Sequence, residues 1–370
     1  RALAQGGPYS KDLIDPLTTL VELYQDDGYH DLATAATEQA LQVIRANYGL
    51  RSLDQAPLIQ ERIRSEEERG NHTEAWELEQ ALLTLARANP RDMRAAAIFD
   101  AVGEKRMELL RRYEAGEFPP QVVLGCYYSE ATSITDESCI AGNRKTAIRR
   151  ILEDAQRNYF AAIAVMFENK QFTSTELRDL ELDVIRSAYS YGSRDLCPSC
   201  PAGSHFRGSN YLMGRESLRR LIAYDVMNDR PLAERADGLL QIADWDLLNS
   251  HHRPLALERY EATYDFLKRE GVDPTAIDAV FSPEIPILLP AFQPNPLVTT
   301  PGDEHIDVSF EITRYGTSER VKVLAKTANV PDDAEERLVN LIKRRTFRPR
   351  VVEGEFARSA PVVVRYYVHN

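Results

Sequence analysis

The hydrophobic period of this chain changes once, near residue 304. Before that point apolar residues recur every three or four positions; beyond it Ile306, Val308, Phe310 and Ile312 alternate strictly. A spacing of about 3.6 lines one stripe of a helix, whereas strict alternation lines one face of a strand. No single element satisfies both patterns. The chain is therefore expected to be α+β, with about ten helices followed by a small sheet domain in about the last 65 residues. A length of 370 residues exceeds what one core usually organises. Expected boundaries are 1–125 and 126–273 for two helical regions, 274–303 for a linker and 304–370 for the C-terminal domain.

In residues 16–27, Leu17, Leu20, Val21 and Tyr24 share a helical face, and Gly28 ends the helix. Ala33, Ala36, Ala40 and Ile44 line the next one. The arrangement returns at Gly70, Ala75 and Leu82, 42 residues on, with Glu66 before the turn. A later pair places Leu240, Ala243, Asp244 and Leu247 on one helix and Ala256, Tyr260 and Thr263 on the next. Further helices are expected at about 91–115, 144–169, 173–190 and 211–227, the last striped by Leu218, Leu221, Ile222 and Val226. Small residues at fixed positions let antiparallel helices approach closely, and these spacings resemble tetratricopeptide repeats. The resemblance implies an α-helical solenoid that binds partners through a groove.

Four cysteines fall as two close pairs, Cys126 with Cys139 and Cys197 with Cys200, in long loops at about 117–143 and 192–210. Close pairs suit two local disulfides in an oxidising compartment. A four-cysteine zinc site, free thiols, or redox chemistry at Cys197-Pro198-Ser199-Cys200 are the alternatives. Loops of this length are often functional. Tyr127, Tyr128, His205, Phe206 and Tyr211 are their candidate contact residues.

Pro274, Pro283, Pro286, Pro290, Pro294, Pro296 and Pro301 mark a linker. Yet Phe281, Ile285, Ile287, Leu288, Leu289 and Phe292 make it apolar. It is expected to run extended along the last helices and fix the position of the C-terminal domain; a flexible tether is the alternative.

In the C-terminal domain Gly316 turns the first strand, and Val321 and Val323 alternate in the second. Pro331-Asp332-Asp333 starts a helix with acids at its positive end. Ala334, Leu338, Leu341 and Ile342 form its buried stripe, and Lys343, Arg344 and Arg345 close it. Phe347-Arg348-Pro349, a Glu353-Gly354 turn and a last strand at Pro361–Val368 follow. This order resembles the C-terminal domain of TonB-type energy transducers and implies a ββαβ fold. In that family an edge strand pairs with an extended peptide from an outer-membrane transporter. The matching residues here are Pro361, Val362, Val363, Val364 and Arg365. The family's N-terminal membrane helix and Tyr-Pro motif have no counterpart in this sequence, and its long spacer is reduced to about 30 residues.

Lys343, Arg344, Arg345, Arg348 and Arg350 form the densest basic run. They read either as a solvated helix end or as a site for an anionic partner: an acidic protein face, lipopolysaccharide phosphates or peptidoglycan. The chain's own helical region is a further candidate, since nearly all the net negative charge precedes residue 301.

A net charge of −12 excludes a general nucleic-acid binder. The longest apolar run, Tyr159–Phe167, is too short for a membrane span, which needs about 20 residues. His30, His72, His205, His251, His252, His305 and His369 are scattered, and no hydrolase, zinc-protease or phosphate-loop motif occurs. Asp244-Trp245-Asp246 reads as exposed helix surface. No metal or cofactor is implied. The expected function is a non-enzymatic periplasmic scaffold, a mature form with its signal or anchor removed, that docks envelope or outer-membrane proteins. A TonB-type energy transducer or its accessory is the second reading, and a thiol-disulfide enzyme the third. The oligomeric state is left open.

Overall fold

The computed structural model describes residues 7–114, 144–170, 174–193, 209–249, 252–292, 295, 297–299 and 301–368. All four cysteines, together with Tyr127, Tyr128, His205, Phe206, His251 and His369, lie outside these residues. The fold is mixed α+β: twelve helices among the described residues, with a small antiparallel sheet region at the C-terminal end. The chain divides into two compact units, 1–198 and 199–370. The last helices share a core with the sheet region.

The first unit contains α1 (Ile14–Asp26), α2 (His30–Tyr48), α3 (Ala56–Glu68), α4 (His72–Ala88), α5 (Met93–Glu114), α6 (Arg144–Asn169) and α7 (Ser174–Ser193). The 42-residue period is structural as well as sequential. α3 starts 42 residues after α1, and α4 starts 42 residues after α2. Gly28 and Gly70 both adopt left-handed backbone, at φ 75° and 77°. Tyr29 N then donates to Tyr24 O at 2.7 Å, and Asn71 N to Glu66 O at 2.8 Å, closing each helix end in the same way. No atom lies near either glycine's missing Cβ, so backbone conformation is what calls for glycine there.

An asparagine ends the second helix of each hairpin and ties it back to the segment ahead of the first. Asn47 donates to Val43 O and Tyr9 O, Asn89 to Leu85 O and Arg51 O, and Asn169 to Val165 O and Pro90 O, all within 3.0 Å. Glu66 is buried and accepts from Asn71 Nδ2 at 2.7 Å, so it braces the turn.

The second unit contains α8 (Ser209–Met227), α9 (Leu232–Leu248), α10 (Arg253–Arg269) and α11 (Pro274–Phe281), then β1 (His305–Ile312), β2 (Ser318–Lys326), α12 (Asp332–Arg344), β3 (Arg350–Val352), β4 (Glu355–Ala357) and β5 (Val362–Tyr367). β2, β1 and β5 form one antiparallel sheet in that order, and β3 and β4 form a separate hairpin. The hairpin adds two short strands to the expected ββαβ order, turned by Glu353 and Gly354 at φ 53° and 90°.

The expected linker is not wholly extended. Pro274 stands at the start of α11, where its missing N–H costs nothing, and the Asp273 carboxylate caps Thr275 N at 2.9 Å. Residues 287–289 then run antiparallel to 346–348: Leu288 opposes Phe347, Leu289 N donates to Thr346 O, and Arg348 N donates to Ile287 O. Strand alternation sends neighbouring side chains to opposite sides. Leu288 and Phe347 enter the sheet core with Phe310, Ile342 and Val364. Leu289 enters the core of α9, α10 and α11, where Val351 of β3 also packs.

Candidate functional site

The Phe347-Arg348-Pro349 segment joins the two cores of the second unit. Phe347 is fully buried, and its ring lies 5.4 Å from that of Phe310. Its backbone is clamped by the β1–β2 turn: Phe347 N donates to Gly316 O at 2.7 Å. A Cβ on Gly316 would meet Phe347 O at 2.2 Å, and its φ is 76°, so both space and conformation demand glycine.

Arg348 points the other way, into the helices. Nε donates to Asp244 Oδ1 at 3.0 Å and Nη2 to Asp244 Oδ2 at 2.6 Å. Tyr260 of α10 donates its hydroxyl to the same Oδ1 at 2.6 Å. The guanidinium and the carboxylate are 8% and 3% exposed. Burial opposes the charged Arg348, but the Asp244 carboxylate outweighs it and holds the guanidinium above its ordinary value. Burial, reinforced by Asp244, keeps the Tyr260 phenol protonated.

Two expectations are corrected here. Arg348 is not part of an exposed basic rim, and Asp244-Trp245-Asp246 is not exposed surface. Asp246, also buried, accepts from the Tyr211 hydroxyl and lies 2.8 Å from Arg259 Nε and 3.5 Å from Arg215 Nε. Trp245 donates Nε1 to Tyr211 O at 3.0 Å. Tyr211, expected on a contact surface, is buried in this network and stacks on His252 at 4.7 Å. Helical periodicity could not reveal any of this, because each acid is satisfied by residues distant in sequence.

The other basic candidates stay at the surface. Lys343, Arg344 and Arg345 are exposed at the end of α12, and Arg350 is half-buried at the start of β3.

β5 is an edge of the sheet, with β1 on one side. Six consecutive residue pairs join it to β1 without a register shift. The opposite edge, β2, carries two register shifts and a left-handed Arg320 at φ 54°. Bulges of this kind blunt an edge against further pairing. Val368 N donates to Glu304 O, so the alternation of an antiparallel ladder turns residues 362, 364 and 366 toward β1 and 363, 365 and 367 outward. Tyr367 N is taken by Thr299 Oγ1 at 2.8 Å. The open backbone is therefore that of Val363 and Arg365.

The side chains of β5 divide in the same way. Val363 is 60% exposed, whereas Val364 is buried in the sheet core and offers a partner no side chain. Val362 packs at the margin of that core, and Pro361 is exposed just before the strand. Arg365 forms a two-pronged pair with Asp307 of β1 at 2.8 and 2.9 Å, which occupies its guanidinium within the sheet.

Among the described residues no group of three or more His, Cys, Asp or Glu side chains has metal-holding geometry, and no helix is long and apolar enough to cross a membrane. No protein-family model matches this chain, and no curated protein shows a significant match to it.

Proposed function

We propose that this chain is a non-catalytic adaptor of a Gram-negative periplasm. In this reading a tetratricopeptide-like helical solenoid docks one partner, and a TonB-like C-terminal domain engages another by β-augmentation. The observation that carries it is the open, regular edge of β5, presented by a sheet that is locked to α9 through Arg348 and Asp244. An added strand gains affinity from the backbone groups of Val363 and Arg365, and specificity from the exposed side chain of Val363. The exposed Lys343, Arg344 and Arg345 suit an anionic envelope component, such as an acidic protein face, lipopolysaccharide phosphates or peptidoglycan. Paired cysteines suit the same oxidising compartment.

The energy-transducer reading is second. A transducer needs a spacer free to reach its partner. Leu288, Leu289 and Leu297 are instead buried in the cores of the second unit, which favours a fixed adaptor.

A photo-crosslinking residue at position 363, in the full chain expressed in its native envelope, tests the proposal. The expected product is an adduct with an envelope protein. An adduct with the periplasmic segment of an outer-membrane transporter that depended on an inner-membrane motor would favour the transducer. Adducts confined to cytosolic proteins would remove both readings.

A further inference from the structure

Asp246 gathers two arginines, one more than its charge can balance. Arg259 Nε of α10 lies 2.8 Å from Asp246 Oδ2, and Arg215 Nε of α8 lies 3.5 Å from Oδ1. Two guanidiniums and one carboxylate leave one positive charge. Neither Nε is aimed for a hydrogen bond: both are sealed from solvent without an acceptor, and Asp246 Oδ2 is sealed without a donor. Among the described residues neither guanidinium donates a hydrogen bond at all. The two side chains are still 16% and 25% exposed, and their Nη groups, unlike Nε, are open to solvent.

The pair of Arg348 and Asp244 differs on each count. There one guanidinium meets one carboxylate through two hydrogen bonds, and both are sealed. The arginines around Asp246 instead hold charge and donors in reserve. Buried donors without an acceptor are rare in folded proteins and point to an acceptor supplied from outside the chain. Their setting is fixed by Tyr211. It donates its hydroxyl to Asp246 Oδ1, accepts Trp245 Nε1 at its carbonyl and stacks on His252. The Arg215 guanidinium lies 5.9 Å from the same ring.

We propose that Arg215 and Arg259 receive a carboxylate from a partner protein, each donating Nη–H to it while Asp246 holds the two guanidiniums side by side. Its single negative charge balances the single surplus positive charge, whereas a phosphate dianion would overshoot it. The planar guanidinium fork also matches a planar carboxylate. The site is carried by α8, α9 and α10 alone, so it stands apart from the β5 edge and gives the adaptor a second contact.

Fluorescence anisotropy of two labelled peptides, titrated with the full chain at about 50 mM salt, tests the proposal. One is tetraglutamate with both ends blocked; the other is tetraalanine with a free C-terminus. The one that binds identifies a side chain or a chain end as the source of the carboxylate. Saturable binding of at least one is expected, against the repulsion of a chain that carries −12 overall. Arg215→Lys with Arg259→Lys keeps both charges beside Asp246 but loses the forks, and should weaken binding about tenfold. Asp246→Asn frees one more positive charge and should tighten binding about threefold, a gain that unfolding cannot mimic. Lys268→Gln with Arg269→Gln, exposed at the end of α10, makes an equal change in charge elsewhere and should leave affinity unchanged. Binding lost instead with Lys343→Gln and Arg344→Gln would place the anion at the end of α12, overturning this proposal and leaving the adaptor reading intact. Failure of both peptides to bind, unchanged affinity in the lysine variant, or displacement by inorganic phosphate at a lower concentration than acetate would also overturn it.

Discussion

Arg348 and Asp244 stand 104 residues apart and form a two-pronged, buried ion pair that fastens the C-terminal sheet region to α9. Removing one member leaves the other charged and buried. Arg348→Met should therefore destabilise the second unit by about 3–5 kcal/mol, read by urea unfolding. Pairing it with Asp244→Leu should restore much of that loss, since two apolar residues leave no stranded charge. If the double variant were as unstable as the sum of the singles, the pair would not be coupled.

At the edge strand, Val363 offers an outward N–H that the β1 ladder does not use. Val363→Pro should leave the melting temperature nearly unchanged, yet abolish pairing with an extended partner peptide. Val364→Asp should instead unfold the sheet, because that side chain lies in its core. Partner capture unaffected by Val363→Pro would place the docking surface elsewhere.

Asp100 has its pKa raised from 3.8 to about 6, by burial first and then by Asp183, Glu104 and Asp179. The folded state thus holds the proton more tightly than the unfolded state. The stability this proton confers is complete below pH about 4 and is lost as pH rises through about 6. Asp100→Asn should raise the melting temperature at about pH 7.5 and change it little at about pH 4. Paired thermal melts would reveal this; an equal gain at both pH values would assign the effect to packing instead of charge.

Gly214 of α8 packs against Trp245, with a Cβ falling 2.2 Å from the indole ring. Gly214→Ala should cost about 1–3 kcal/mol by overpacking, despite alanine's better helix propensity. Near-ultraviolet circular dichroism should register the displaced indole. A stability gain from this substitution would mean that the α8–α9 interface can open without cost.

Much of the architecture is legible in the sequence. The change of period near residue 304 separates helices from strands, and the repeats at Gly28 and Gly70 return as matching helix starts and turns. These are local properties: a 3.6 or 2 period, a left-handed glycine and a proline at a helix start act within a few residues. The linker was legible only in part. Its apolar content matches residues that are now buried, but Pro274 begins a helix, since a proline run alone does not separate a helix start from an extended segment.

The class of each element and the 42-residue spacing of the first two hairpins follow from neighbours along the chain, and so from the order of residues alone. What the charged residues do depends instead on contacts between segments far apart in the chain. Arg348 and Arg344 lie four residues apart in one basic run, yet one is sealed against Asp244 and the other faces water. Asp244 reads in sequence as any helix-surface acid. Its burial is tolerated only because Arg348 and Tyr260, brought to it by the fold, replace the water it gives up.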